Sequence, residues 1–215
     1  MIEIQRFVCN MIQENCYVVS DETKEAVIID CGAYFESERS AISDYIKEKG
    51  LRPVHLLATH GHMDHNFGNK FVDDQWGLKA EVHASDEELM KQLHQQTKDV
   101  LHIEMQPEDF PAVGKLLHSH DTISFGDHHF TIIETPGHTP GGVFYYCEQE
   151  HVAFSGDTLF RGNIGRADLP GGSMFLLIQS LRAVSQLPDN TDVYPGHGDA
   201  TTIGREVASN PYLDR

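Results

Sequence analysis

The chain is short of positive charge: 16 lysines and arginines stand against 33 aspartates and glutamates, a formal net charge of −17 with histidine neutral. A surface so negative repels phosphate backbones, so no nucleic-acid partner is expected. Long apolar runs are missing as well. None approaches the ~20 residues that cross a bilayer, so no membrane partner is expected either. The opening residues Met1 to Arg6 alternate like a strand and lack the basic head and apolar core of a secretory signal. Cysteine is scarce: Cys9, Cys16, Cys31 and Cys147 form no CxxC pair. A chain of this size needs no disulfide staples, and each cysteine reads as a buried free thiol in or beside a strand. These features together point to the cytoplasm. Repeats and low-complexity linkers are absent, and the apolar and charged fractions, 40% and 23%, suit one soluble domain spanning residues 1–215. No Ser-His-Asp or Cys-His set stands in a motif context.

Histidine, by contrast, is plentiful and unevenly placed, with 14 in the chain. Thr59-His60-Gly61-His62-Met63-Asp64-His65 gathers three imidazoles and a carboxylate just after an apolar, strand-like run. Neutral imidazole nitrogen and carboxylate oxygen are ligands that divalent metals such as Zn²⁺ accept readily. Groups this close converge only where the backbone turns sharply, and Gly61 is read as the turning position. The spacing offers two adjacent half-sites rather than one.

The missing ligands lie in three later segments. His129 to Thr135 reads as a strand followed by Pro136-Gly137-His138-Thr139-Pro140-Gly141-Gly142. His151 to Phe154 runs into Ser155-Gly156-Asp157-Thr158. Thr191 to Tyr194 runs into Pro195-Gly196-His197-Gly198-Asp199. Each candidate ligand therefore sits just past the carboxyl end of a short strand, where binding groups concentrate on a rigid scaffold. The remaining histidines (55, 83, 94, 102, 118, 120, 128, 129 and 151) read as surface or satisfied interior residues. His118 and His120 are the pair to watch, because His-x-His binds metal readily.

The coarse order is three alternating strands near 2–9, 15–20 and 25–30, then a helix from Glu36 to Lys49. Leu56 to Thr59 leads into the ligand loop, and Asn66 to Trp76 reads as a helix. After a short strand at Glu81 to His83, Ser85 is expected to cap a helix opening with Asp86-Glu87-Glu88. Glu104 to Lys115, with two prolines, reads as an irregular connection covering the site. Strands dominate from Asp121 to Phe154. Ser173 to Gln186 is an amphipathic helix, with Phe175, Leu176, Ile178 and Leu181 expected as its core stripe. A strand at Asp192 to Tyr194 and a helix at Ile203 to Ser209 close the pattern. Strands then helices, twice over, suit two packed sheets with helices outside, an α/β architecture.

HxHxDH, then PGHTPG, then SGDTLF, then PGHGD, in this order, resembles the metallo-β-lactamase fold superfamily. Within it the chain is most similar to the glyoxalase II-like, or hydroxyacylglutathione hydrolase-like, branch. Leu159 to Gly172 and Thr201 to Glu206 resemble the short bacterial hydrolases of that branch. The likeness implies a four-layer αββα sandwich with the metal site at one edge of the sheets. It implies that His60, His62 and His138 hold one divalent ion, that Asp64, His65 and His197 hold a second, and that Asp157 bridges them. Zn²⁺ is the expected metal, with Fe or Mn²⁺ also suited to these donors. The implied reaction is hydrolysis of a thioester of the S-2-hydroxyacylglutathione type, with a metal-bound hydroxide attacking the carbonyl and Asp64 orienting it.

Asp157 departs from the true metallo-β-lactamases, which place no bridging aspartate there. Longer glyoxalase II enzymes grip glutathione with a helical carboxy-terminal domain. This chain ends a short way past His197, so the thiol carrier stays open. Arg166 is a candidate substrate contact or, through Asp168, a brace for the Asp157 loop. The competing reading within the fold is a mononuclear iron persulfide dioxygenase, using His60, His138 and Asp157. The expected partner is a small-molecule thioester, and nothing in the pattern reads oligomeric state.

Overall fold

A computed structural model describes residues 1–213. The first sheet takes its strands in chain order: β1 (Glu3–Cys9), β2 (Glu14–Ser20), β3 (Glu25–Ile29), β4 (Arg52–Leu57), β5 (Ala80–His83) and β6 (Lys115–Leu117). β1 to β3 are antiparallel, and β3 to β6 run parallel. The parallel part requires crossovers, supplied by the helices α1 (Glu36–Lys49), α2 (Asn69–Trp76), α3 (Glu87–Lys91) and α4 (Leu93–Leu101). In the second sheet, β7 (Thr122–Phe125), β8 (His128–Glu134), β9 (Val143–Cys147) and β10 (Val152–Gly156) pair antiparallel in turn. A short hairpin, β11 (Leu159–Phe160) with β12 (Asn163–Ile164), follows β10. After α5 (Met174–Val184), β13 (Asp192–Pro195) adds in parallel beside β10. β14 (Thr201–Thr202) borders β13, and α6 (Ile203–Ser209) closes the described chain.

Three apolar layers hold this together, as the expected αββα sandwich requires. β2 shows why: it is buried along its whole length, and its alternation serves two cores at once. Cys16 and Val18 face α1 and α2, packing with Ile42, Ile46 and Val72. Tyr17 and Val19 point between the sheets, against Phe130, Tyr145 and Phe154 of the second sheet. The third layer lies under α5, where Leu177, Leu181 and Val184 recur at helical spacing and meet Phe144, Ala153 and Val193. Each fully buried leucine contributes roughly 2 kcal/mol to stability. All four cysteines are buried and unpaired, as expected. No described helix is long and apolar enough to cross a membrane.

Several local expectations need correction. Ser85 does not cap a helix. It lies in a 3₁₀ turn, and its N–H donates to His83 Nδ1. The following helix breaks at Gln92 into α3 and α4. Asn66 to Gly68 precedes α2 rather than belonging to one long helix, because Met63–His65 forms a separate 3₁₀ turn. The α5 stripe is shifted by register: Leu181 is buried, but Phe175 is 71% and Leu176 38% exposed, while Leu177 takes the inward place. Met105, Phe110 and Val113 of the 104–115 connection pack on the first-sheet core instead of covering the ligand loops.

Candidate metal centre

The ligand loops do converge. His60 and His62 follow β4, His138 follows β8, Asp157 follows β10 and His197 follows β13, so two sheets aim their strand ends at one edge. The rings of His60, His62 and His138 lie 4.6–4.8 Å apart, centroid to centroid. These three form one compact ligand group, and Asp64, His65 and His197 form a second. Asp157 reaches both. Its Oδ1 is 3.3 Å from His65 Nε2, while its Oδ2 is 3.6 Å from both His138 Nε2 and His197 Nε2. Asp64 Oδ2 lies 3.2 Å from His197 Nε2 and 3.6 Å from His65 Nε2. Every sequence-derived ligand candidate is therefore present in one cluster.

The far nitrogens of four of the five imidazoles are already engaged, which fixes those rings. His65 Nδ1 bonds Asp30 Oδ2 at 3.0 Å, His60 Nδ1 meets Thr59 Oγ1 at 3.0 Å, and His138 Nδ1 donates to the Arg166 carbonyl at 2.7 Å. His197 Nδ1 sits 3.3 Å from the Gln13 carbonyl. With Nδ1 engaged, Nε2 is left to face the cluster as a ligand. His60 Nε2, His65 Nε2, His138 Nε2 and Asp157 Oδ1 are all buried without a hydrogen-bond partner. Four orphaned donor atoms at one spot would cost several kcal/mol if nothing met them. A divalent cation is what this donor set fits.

The electrostatics agree. Burial, reinforced by neighbouring imidazoles, holds the His60 pKa well below its ordinary value. Burial and then His138 bring His62 down to about 4. Both are therefore neutral near pH 7, the form that ligates. Burial opposes charge on His65, yet Asp157, Asp64 and Asp30 outweigh it and raise its pKa well above normal. Three carboxylates thus draw positive charge to this position. Asp157 shows the reverse balance: burial pushes its pKa up, and the surrounding histidines, His65 first, bring it well down.

Sequence reasoning missed the residues behind the ligands. Asp30, noted only as the end of the third strand, accepts from Thr59 N and Thr59 Oγ1 (both 2.7 Å) as well as holding His65. It sits at φ 52°, a conformation Asp tolerates better than most residues, and that positive φ follows β3 directly. Asp86, wholly buried, accepts from Gly61 N, Thr139 Oγ1 and Gly141 N, tying the first ligand loop to the His138 loop. Gly61 itself does not occupy the left-handed region. Its lack of a side chain serves close approach, because a Cβ there would lie 2.8 Å from Leu89 Cβ. Gly196 serves Asp157 similarly: a Cβ would fall 2.3 Å from Asp157 Oδ1.

Beside the cluster lies a cleft of about 350 Å³ whose floor includes His62, Asp64, His138, Asp157 and His197. Its walls come from α3, α4, the β1–β2 turn and the 166–170 loop, so the cover is helical rather than the 104–115 connection. Arg166 lines this cleft, but its guanidinium is held in a fork by Asp168, with both bonds 2.7 Å. Arg161 lies 3.7 Å from Asp199, so neither arginine contributes to a free basic patch. His55, His83 and His128 pair with carboxylates. The rings of His118 and His120 stack at 5.8 Å, and no three-ligand group among the described residues includes them.

Residues 10–197 match the family model of the metallo-β-lactamase superfamily. The hydroxyacylglutathione hydrolase GloC of Haemophilus influenzae is 36% identical, over 94% of this chain and 93% of that protein. The crystal structure titled BLEG-1 B3 metallo-β-lactamase superposes with a TM-score of 0.89 at 33% identity, covering 98% of this chain and 99% of that one. A crystal structure of TTHA1623 in a di-iron-bound form gives 0.86 at 32%, covering 97% and 100%. Two sheets flanked by helices, with the ligands gathered at one edge, thus coincide with matches along almost the whole chain: it belongs to the metallo-β-lactamase superfamily, a metallo-hydrolase family, and adopts that fold.

Proposed function

We propose that this protein is a binuclear metal-dependent hydrolase of thioesters of the S-2-hydroxyacyl type. The observation that carries the reading is the set of four buried ligand atoms without partners, on His60, His65, His138 and Asp157. In this reading His60, His62 and His138 would hold one ion, Asp64, His65 and His197 would hold the other, and Asp157, whose carboxylate borders both groups, would serve the two together. Zn²⁺ suits these nitrogen and oxygen donors, with iron the nearest competitor given the di-iron form of the TTHA1623 structure. Bound there, two such cations supply a water ionised near neutrality, against ~15.7 in bulk, and polarise a carbonyl.

The chain's own part is to place and dry the reacting groups. Asp30, Thr59 and the Arg166 carbonyl keep the imidazoles aimed, as partners behind metal ligands do. Asp64 is the residue to orient the attacking water, since its carboxylate borders both His65 and His197 at the cleft floor. Arg166 braces His138 through its backbone, and its side chain is committed to Asp168. The relative GloC bears the name of a hydroxyacylglutathione hydrolase, which supports the substrate class. Four buried unpaired thiols fit a reducing cytoplasm.

A mononuclear dioxygenase would need only His60, His138 and Asp157. The second group of Asp64, His65 and His197 would then have no work, which favours the hydrolase. The test is loss of the thioester of S-D-lactoylglutathione by metal-analysed protein under anaerobic conditions. Turnover without oxygen supports the hydrolase. Its absence, together with oxygen uptake on a persulfide, supports the dioxygenase, and turnover confined to a β-lactam would align the chain with BLEG-1 instead.

A further inference from the structure

Charge along the cleft walls is distributed in a way that bears on the thiol carrier. The segments lining the cleft carry few cations, and each one is already answered by a carboxylate. On α3, Lys91 lies 3.1 Å from Glu87 and 2.6 Å from Glu88. On α4, Lys98 lies 3.1 Å from Glu104. Arg161 faces Asp199, and Arg166 is forked onto Asp168. Arg166 is the one lysine or arginine among the lining residues themselves. The carboxylate on the wall, Asp99, accepts an amide hydrogen bond from Gln95 at 2.7 Å, and no lysine or arginine among the described residues pairs with it.

The rest of the wall is neutral. Ile12, Leu89, Val100, Leu169 and Pro170 give apolar surface, and Val100 stands 55% exposed at the opening. Gln96 offers nothing to a ligand, because its amide is used by Met63 N, the Gly61 carbonyl and the Leu89 carbonyl. A carrier bound with its thioester at the metals would lay its remaining atoms along these walls. A carboxylate on that carrier would lose water, meet Asp99 and find no unpaired lysine or arginine along these walls, in a molecule whose formal charge of −17 stays strongly negative when two divalent ions are added. An uncharged carrier with an apolar arm would lose only water from apolar surface.

We infer that the cleft selects thioesters of uncharged, partly apolar thiol carriers over thioesters of carboxylate-bearing carriers such as glutathione. This inference rests on the thioester hydrolase reading for its chemistry, but its charge preference is measurable without turnover.

The experiment has two arms on the metal-loaded full chain. The first compares kcat/KM for a lactoyl thioester of neutral N-acetylcysteamine with that of S-D-lactoylglutathione. The second measures Kd for the matching unreactive S-alkyl thioethers. The neutral carrier is expected to win by about tenfold or more in both arms, the scale of an uncompensated like charge at a binding surface. Asp99→Lys, at an exposed position, is expected to shrink that ratio by improving the glutathione compound. Equal or tighter binding of the glutathione thioether by the wild type overturns the inference. If neither thioester is hydrolysed while the neutral thioether still binds more tightly, the thioesterase reading falls and the charge preference stands.

Discussion

Asp30 is not one of the seven ligand candidates read from the sequence, although with Glu14 and His65 it forms a further buried group of possible ligands; it holds His65 with one oxygen and Thr59 with both. Asp30→Asn keeps a carbonyl oxygen for the Thr59 N–H and turns the acceptor facing His65 into an amide donor. Metal affinity is expected to fall about 10- to 100-fold, the usual cost of losing a partner behind a ligand. A competitive chelator titration reads this directly, and unchanged affinity would remove Asp30 from the account. At this scale the residues of the cluster were legible as candidate ligands, because His60, His62, Asp64, His65, His138, Asp157 and His197 announce themselves by spacing and by their place after strands. Asp30 and Asp86 were not. A single aspartate at a strand end looks like any turn residue, and what distinguishes these two is their partners 25 to 55 positions away.

At the scale of elements, the alternating strands and the ligand loops came through because period-two patterning and Gly/Pro punctuation are local signals. The strands β1 to β3 and the helix α1 fall within a residue or two of expectation. α5 shows where locality stops. Met174-Phe175-Leu176-Leu177-Ile178 is apolar all round for more than a turn, so composition does not say which residues face inward. The cap decides: Ser173 Oγ accepts from Leu176 N, and this starting point turns Leu177 and Leu181 toward the second sheet. The cover of the cleft was misassigned for a related reason. The 104–115 connection is irregular as expected, with one 3₁₀ turn at Pro107–Asp109, but Phe110 reaches Phe67 in the core (centroids 6.3 Å apart), and α4 with its glutamines and Val100 forms the wall.

For the molecule as a whole, stability depends on buried charges that sit away from the metal cluster as well as on the cluster. His128, 8% exposed, lies 3.0 Å from Asp21 and 2.9 Å from Glu150. Burial alone would lower its pKa, but the two carboxylates outweigh burial and raise it above 6.5. Burial likewise pushes Asp21 up, and its bonds from Thr23, His128 and Asp127 bring it well below 3.8. The raised His128 stabilises the fold below its unfolded value and loses that contribution as pH climbs through the folded value. The depressed Asp21 stabilises above its unfolded value and loses that contribution on acidification. Both act together between about pH 4 and 6.5. The Tm gap between metal-loaded wild type and His128→Gln is therefore expected to be widest in that window and to narrow above it. A gap independent of pH would contradict the assignment.

The central claim, two ions joined through Asp157, is tested most directly by counting metal per chain in the wild type and in Asp157→Ala while following thioester loss on the same samples. The wild type is expected to carry two ions and turn over. The variant is expected to keep its circular dichroism, carry fewer than two ions and lose more than the roughly hundredfold that an outer partner costs. A variant that binds two ions and hydrolyses the thioester at the wild-type rate would contradict the account.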